Sequence, residues 1–391
     1  MTGEVRTVDL RKTRVTADGN TGSVAPPISR HAGKARGLNP SVARLDAMDG
    51  CESEYQAPRV TFAARPRTDE PMMVGHAALA FAIAASVALL RGWSRERVLA
   101  IGLVAGGFAV APDADMVYAL TGLTGEVSGA AEAAKDFWGA STLVHRSITH
   151  SLVLAIPAGL AFAFWTVRAE WRSTAHTVTL ALSIGLVAIA VLYSGLLGAI
   201  VTVAFVATGL FVATLARYLT TLSPTQVLAA AWLGLLTHPW GDLFTGEPPS
   251  FLYPLDATLV ASRVEFHADP TMHLLAVFGI ELAAVWLAIA VLEPVTDEPL
   301  IGAVERKAWL GLGYAAATTI LPSPTVDFSY QFVFSILGVG TLLSVPGMRG
   351  WVVTLARSRR LDRERITAAV LTGVAAVSLA WLGYAIAYLV T

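Results

Sequence analysis

The chain has 391 residues, of which 54% are hydrophobic and 15% charged, against about 25% charged in a typical soluble domain, and its mean hydropathy is +0.59. That balance argues against a soluble globular enzyme and for a protein that crosses a membrane several times. A formal net charge of −1 lacks the basic excess of a nucleic-acid-binding surface, and the single cysteine, Cys51, rules out an intramolecular disulfide, a CxxC redox pair and a thiolate metal cluster.

In chain order, the first 71 residues are polar, carry 11 Lys and Arg among scattered Gly and Pro, and have no apolar period. Such a stretch buries too little apolar surface to offset its ordering entropy, so a disordered tail is expected over 1–71. It lacks the apolar run that would make its basic start a signal peptide. Met72 and Met73 stand directly before the first apolar run and offer an alternative start. From Val74 onward, at about 20 residues per span, spans are expected near 74–91, 96–112, 148–168, 174–192, 195–216, 225–242, 272–292, 308–321, 329–346 and 366–390. The expected fold class is therefore all-α, a polytopic membrane helical bundle of about ten transmembrane helices.

Loop charge sets an orientation. One set of alternate loops, from Arg91 to the Arg349–Arg365 cluster, carries 14 Lys and Arg, whereas the other carries only Lys135, Arg146 and Arg263. The positive-inside rule makes the first set cytoplasmic and puts both termini outside. The basic tail, with Arg59, Arg65 and Arg67 near the first span, pulls the other way. The Arg349–Arg365 cluster would meet anionic lipid at the inner leaflet.

Histidine took no part in that assignment, yet four separated His/Asp groups fall at one membrane face. His76 opens the first span from the outer side, and Asp113 and Asp115, after Pro112, close the second. His145 and His150 open the third, and His238 and Asp242 close the sixth. Each group has a plainer reading: an interfacial histidine, turn aspartates, or polar helix ends. His145 and His150 lie about 140° apart on an α-helix, so they converge only if His145 sits in the preceding loop or first turn, with Ser147 or Thr149 capping. His238 and Asp242, four apart, share a face. Taken together the groups point to a divalent-metal site of imidazole and carboxylate, with zinc favoured and one to three ions. Such an ion supplies a nucleophilic water at neutral pH and polarises a phosphoryl or carbonyl oxygen.

Arg146 is the one cation beside these groups, suited to an anionic oxygen or equally to a lipid headgroup. Thr245 and Gly246 precede a Pro-rich segment and are candidates for a loop over the site. His273, His267 and the intramembrane Glu281 are further candidates, while His176 and His31 fall elsewhere. The absence of HExxH, GxSxG, Walker A and a strand-borne GxGxxG weighs against a zincin, a serine hydrolase and a nucleotide enzyme.

The order His76, Pro112-Asp113-Ala114-Asp115, His145-Arg146-Ser147-Ile148-Thr149-His150-Ser151, His238-Pro239-Trp240-Gly241-Asp242 and Tyr253-Pro254 resembles the YdjM-type family over roughly residues 72–255. That family is described as membrane-bound, metal-dependent hydrolases, also labelled LexA-binding and distantly similar to zinc phospholipase C. The resemblance implies a metal-site hydrolase core over 72–255, with additional transmembrane helices over 256–391. It carries over His76, Asp113, Asp115, His145, His150, His238 and Asp242 as metal-site residues. The long tail departs from the family pattern, and nothing in the sequence reads as a surface for a soluble repressor.

The expectation is thus a multi-pass hydrolase of the cell membrane with its metal site at the extracytoplasmic face. Asp113, His150 and Arg146 would carry the chemistry, the partners would be membrane lipids, and the substrate would be a phosphoester such as a phospholipid or lipid-linked phosphate. A transporter or metal-handling protein using the same cluster is the rival, but it predicts midplane ligands and an inverted repeat, and no repeat is visible.

Overall fold

The computed structural model describes residues 73–124, 129, 146–168, 170–326, 328–345 and 363–391. The expected tail, His145 and most of the Arg349–Arg365 cluster lie outside them. The described residues are built from helices. Helix α1 is Met73–Leu90, and α2 is Arg95–Val110, which runs on as a 3-10 helix over Ala111–Thr124. A short 3-10 turn, Ile148–His150, leads into α3, Leu152–Trp165. Then come α4, Arg172–Leu219, and α5, Pro224–Gly241, which ends in a 3-10 turn over Asp242–Phe244. After α6, Pro270–Thr296, a 3-10 helix over Arg306–Thr319 precedes α7, Tyr330–Ser344, and α8, Arg363–Val390.

Among the described residues, four helices are long and apolar enough to cross a membrane: Arg95–Val117, Arg172–Leu219, Pro270–Thr296 and Glu364–Val390. Helix length among the described residues does not by itself confirm the ten expected spans. At about 1.5 Å per residue, the 14 residues of α3 and the 15 of α7 fall short of a hydrocarbon core of about 30 Å. The two spans expected at 174–192 and 195–216 run as α4, whose helical geometry breaks at Gly195, with φ at 66°. Each arm is about 35 Å long. The expected span at 308–321 forms the 3-10 helix instead.

Helix starts follow local chemistry. The side chains and backbones of Ser223 and Gln226 form a reciprocal capping box ahead of Pro224 at the start of α5. The Asp269 carboxylate accepts from Met272 N at 2.9 Å before Pro270 opens α6. Ser151 caps α3 by accepting from Leu154 N at 3.2 Å. Ser147 makes no cap hydrogen bond, and Thr149 is spent on the site, so α3 starts four residues later than the apolar run predicts.

Helices α1 to α5 share one core, which includes Phe81, Phe108, Phe162, Phe205 and Leu235. The second core joins α6, the 306–319 helix, α7 and α8 around Leu274, Phe332, Ile336 and Tyr384. Helix α6 packs on α1 and so ties the two together. Apolar side chains such as Leu192, Leu196 and Phe211 of α4 face outward, as lipid contact requires. Lipid offers little drive for helices to associate, so close packing has to supply it. Gly234 shows this at the α2–α5 crossing: a Cβ there would lie 2.6 Å from both Ala105 O and Ala109 N.

Candidate metal centre

Five elements deliver the described polar residues to one buried cluster. His76 lies in the first turn of α1, and Asp113 and Asp115 follow α2 in the 3-10 helix. His150 ends the turn before α3, His238 is in the last turn of α5, and Asp242 directly follows α5. All six are buried, with His150 at 0% and His238, Asp115 and Asp242 at 1% exposure. Nε2 of His238 lies 3.0 Å from Nε2 of His150, 3.4 Å from Asp113 Oδ1 and 3.6 Å from Asp242 Oδ2. Nε2 of His150 lies 3.0 Å from Asp242 Oδ2, and Nε2 of His76 lies 3.2 Å from Asp242 Oδ1.

Hydrogen bonds behind the rings fix their tautomers. Nδ1 of His238 meets the carbonyl of Ala109 at 2.7 Å. A carbonyl only accepts, so Nδ1 carries the proton and Nε2 presents its lone pair. The Thr149 hydroxyl donates to Asp115 Oδ2 at 2.8 Å and lies 2.8 Å from His150 Nδ1. With its one proton given to Asp115, Thr149 must accept from His150, whose Nε2 then also presents a lone pair to the cluster. Two such lone pairs at 3.0 Å repel unless a cation lies between or beside them. A proton on one ring would relieve that clash. It would still leave the buried Asp113 Oδ2 without a hydrogen-bond partner.

A divalent ion fits better. Donors arranged tetrahedrally at 2.0–2.2 Å from zinc stand about 3.3–3.6 Å from one another. The four contacts given above among Asp113, His150, His238 and Asp242 span 3.0–3.6 Å. Two overlapping groups, His76 with His238 and Asp242, and Asp113 with His150 and His238, each bring three ligand atoms within metal-binding distance. Imidazole backed by a carbonyl or carboxylate is the usual outer shell of a metal-ligating histidine.

The family model for the YdjM inner membrane protein matches residues 72–384. The chain belongs to the YdjM inner membrane protein family. No curated protein and no solved structure matches it. The YdjM match extends past residue 255, so α6, α7 and most of α8 belong to the family unit with the His/Asp cluster.

Asp115 joins neither ligand group. Its Oδ2 takes the Thr149 proton and stands 3.6 Å from His150 Nδ1, which makes it a backing carboxylate. In a 3-10 helix, successive side chains turn by about 120°, so Asp113 and Asp115 point to different sides. Arg146 is buried, has φ at 68°, and donates through Nη1 to the carbonyls of Asp242 and Glu247, each at 3.0 Å. Its Nη2 bonds the Thr245 hydroxyl and lies 4.0 Å from Asp242 Oδ1. Arg146 thus fastens the 242–247 loop, with its charge beside the Asp242 carboxylate.

The remaining candidates have other roles. His273 accepts from Phe266 N at 3.2 Å and donates to Phe244 O at 2.9 Å, so both ring nitrogens brace the loop between α5 and α6. His267 accepts from Asp269 N, and His176 stacks on Trp165 beside Arg217. Glu281 reaches from α6 to accept from Gly75 N at 3.2 Å, one of the first-turn donors that α1 cannot satisfy itself. The next residue is His76.

Sequence reasoning passed over the carbonyl of Ala109 and Gly234, and gave Gly241 no role within its motif. Gly234 sits one helical turn before His238, and the close crossing it permits brings the Ala109 carbonyl to that ring. A Cβ on Gly241 would fall 2.3 Å from Cε1 of His76. A glycine one turn before a histidine, or directly before an aspartate, was the only signal available.

Proposed function

We propose that this chain is a membrane-bound, metal-dependent hydrolase that cleaves a phosphoester, such as a phospholipid or lipid-linked phosphate. The observation that carries the reading is the buried convergence of His76, Asp113, His150, His238 and Asp242, with the Nε2 atoms of His150 and His238 only 3.0 Å apart. Asp113, His150, His238 and Asp242 would hold a divalent ion, with zinc favoured by the imidazole–carboxylate donor set. When bound, such an ion supplies an acidified water and a Lewis acid for a phosphoryl oxygen.

The chain's own residues prepare that chemistry. Ala109 and Thr149 hold the two imidazoles as Nε2 donors, and Asp115 anchors Thr149. Arg146 fixes the 242–247 loop and adds positive charge where an anionic substrate would approach. The described donors sit at helix ends, where a headgroup diffusing in the bilayer plane would meet them, and this favours hydrolysis over transport. In this proposal the protein is multi-pass, with about ten membrane-crossing segments and the site on the extracytoplasmic face, as the positive-inside rule orients it.

The test uses detergent-purified full-length protein. Bound zinc, and phosphodiester cleavage that stops on chelation and returns with metal, are expected. Metal-free protein, or full activity in an Asp113→Ala, His150→Ala double variant, would overturn the proposal.

A further inference from the structure

Asp113, His150, His238 and Oδ2 of Asp242 would by themselves fill the four positions of a tetrahedral zinc shell, whereas hydrolysis needs an open position. His76 is left over, buried and aimed at the other oxygen of Asp242. We propose that the centre holds two divalent ions bridged by the Asp242 carboxylate, the second one held by His76 and Asp242 Oδ1. This rests on the metal reading above and adds to it the number of ions and the residue that joins them.

Three observations carry it. First, the Asp242 oxygens face different imidazoles: Oδ1 meets His76 at 3.2 Å, and Oδ2 meets His150 at 3.0 Å and His238 at 3.6 Å. A carboxylate offering one oxygen to each of two donor sets is a natural bridge, and paired ions about 3.5–4 Å apart are a recurring arrangement in phosphoester hydrolysis. Second, His238 is within reach of both ligand groups, but its Nδ1 is committed to Ala109 and it has one lone pair to give. Its 3.0 Å approach to His150 and 3.4 Å approach to Asp113 assign it to the first ion, which leaves His76 and Oδ1 to a second. Third, the fold makes room for that histidine. The ring of His76 lies against the bare Cα of Gly241, its centroid 4.0 Å from that of His238.

The second ion has fewer protein donors, and Arg146 stands 4.0 Å from Oδ1. It is therefore the weaker of the two, with coordination positions left for exchangeable ligands. Stepwise filling follows.

The experiment strips the purified full chain with chelator and titrates it with Mn2+, reading bound metal per chain and the electron paramagnetic resonance spectrum. The wild type should take one equivalent with an isolated-ion spectrum, then a weaker second whose arrival replaces that spectrum with an exchange-coupled one. His76→Gln should keep the first equivalent and lose both the second and the coupling. Saturation at one equivalent, a second ion without coupling, or two coupled ions in His76→Gln would overturn the bridge while leaving a metal site in place. No bound metal at all would overturn the hydrolase reading as well. The coupling is read on the unmutated protein, so the test stands even if His76→Gln does not fold.

Discussion

The Thr149 hydroxyl is a single group on which the tautomer of His150 depends, and Thr149→Val removes it with little change of volume. Two contacts of 2.8 Å go at once, one to Asp115 Oδ2 and one to His150 Nδ1. Asp115 cannot close the gap, because its Oδ2 stands 3.6 Å from Nδ1, and His150 is fully buried, so water has no easy way in. Leaving a buried polar group unpaired costs about 1–3 kcal/mol. Loss of an outer-shell partner typically lowers metal affinity about 10–100-fold, which is about 1.4–2.7 kcal/mol. Competition with a zinc chelator on purified protein should therefore show a weakening in that range, and Thr149→Ser should restore most of the affinity. Zinc affinity of Thr149→Val within about twofold of wild type would refute the hydrogen-bond argument, and with it the assignment of Nε2 as the donor atom of His150.

Further outcomes follow from the supports. Gly234→Ala forces a methyl against the α2 backbone, so we expect a loss of about 1–3 kcal/mol as a lower melting temperature in detergent, with weaker zinc binding as His238 parts from Ala109; a variant equal to wild type in both would refute the close-approach argument. Glu281→Ala removes the acceptor for Gly75 N and should cost about 1 kcal/mol at the start of α1, with weaker metal retention. Glu281→Gln keeps an acceptor and should stay near wild type, and equal losses in the two variants would count against capping. The Met272 N–H hydrogen bond, helped by the Tyr388 hydroxyl, lowers the pKa of Asp269. Its contribution to stability is therefore present above the ordinary carboxylate value of about 3.9 and is lost as pH falls through the lowered folded value. Melting temperature followed below about pH 4 should fall less steeply in Asp269→Asn than in wild type, and parallel curves would contradict the cap.

How far the site can be read from the chain differs residue by residue. His238 and Asp242 are legible because a four-residue spacing on a helix needs no tertiary knowledge. Asp113 and Asp115 are legible as acids but not in their roles, because an α-helix and a 3-10 helix aim them differently. Arg146 reads as a substrate-facing cation by residue type; the carbonyls that receive its donors come from about a hundred residues away. Glu281 is visible as an acid in an apolar run, but its acceptor role at Gly75 depends on α6 crossing α1.

Length, apolar runs and sparse charge were enough by themselves to specify a helical membrane protein, because hydrogen bonding in lipid leaves helices as the simplest way to bury so apolar a chain. The same string also supplied the ligand types, since without thiol clusters only imidazole and carboxylate remain. Tertiary structure alone decided which donors meet, which ring nitrogen carries the proton and which acid stands behind a histidine. Those outcomes depend on ångström-scale helix approaches, set at Gly234 and Gly241 by the absence of a Cβ, and on contacts spanning up to 166 positions of the chain. No local pattern encodes distances of that kind.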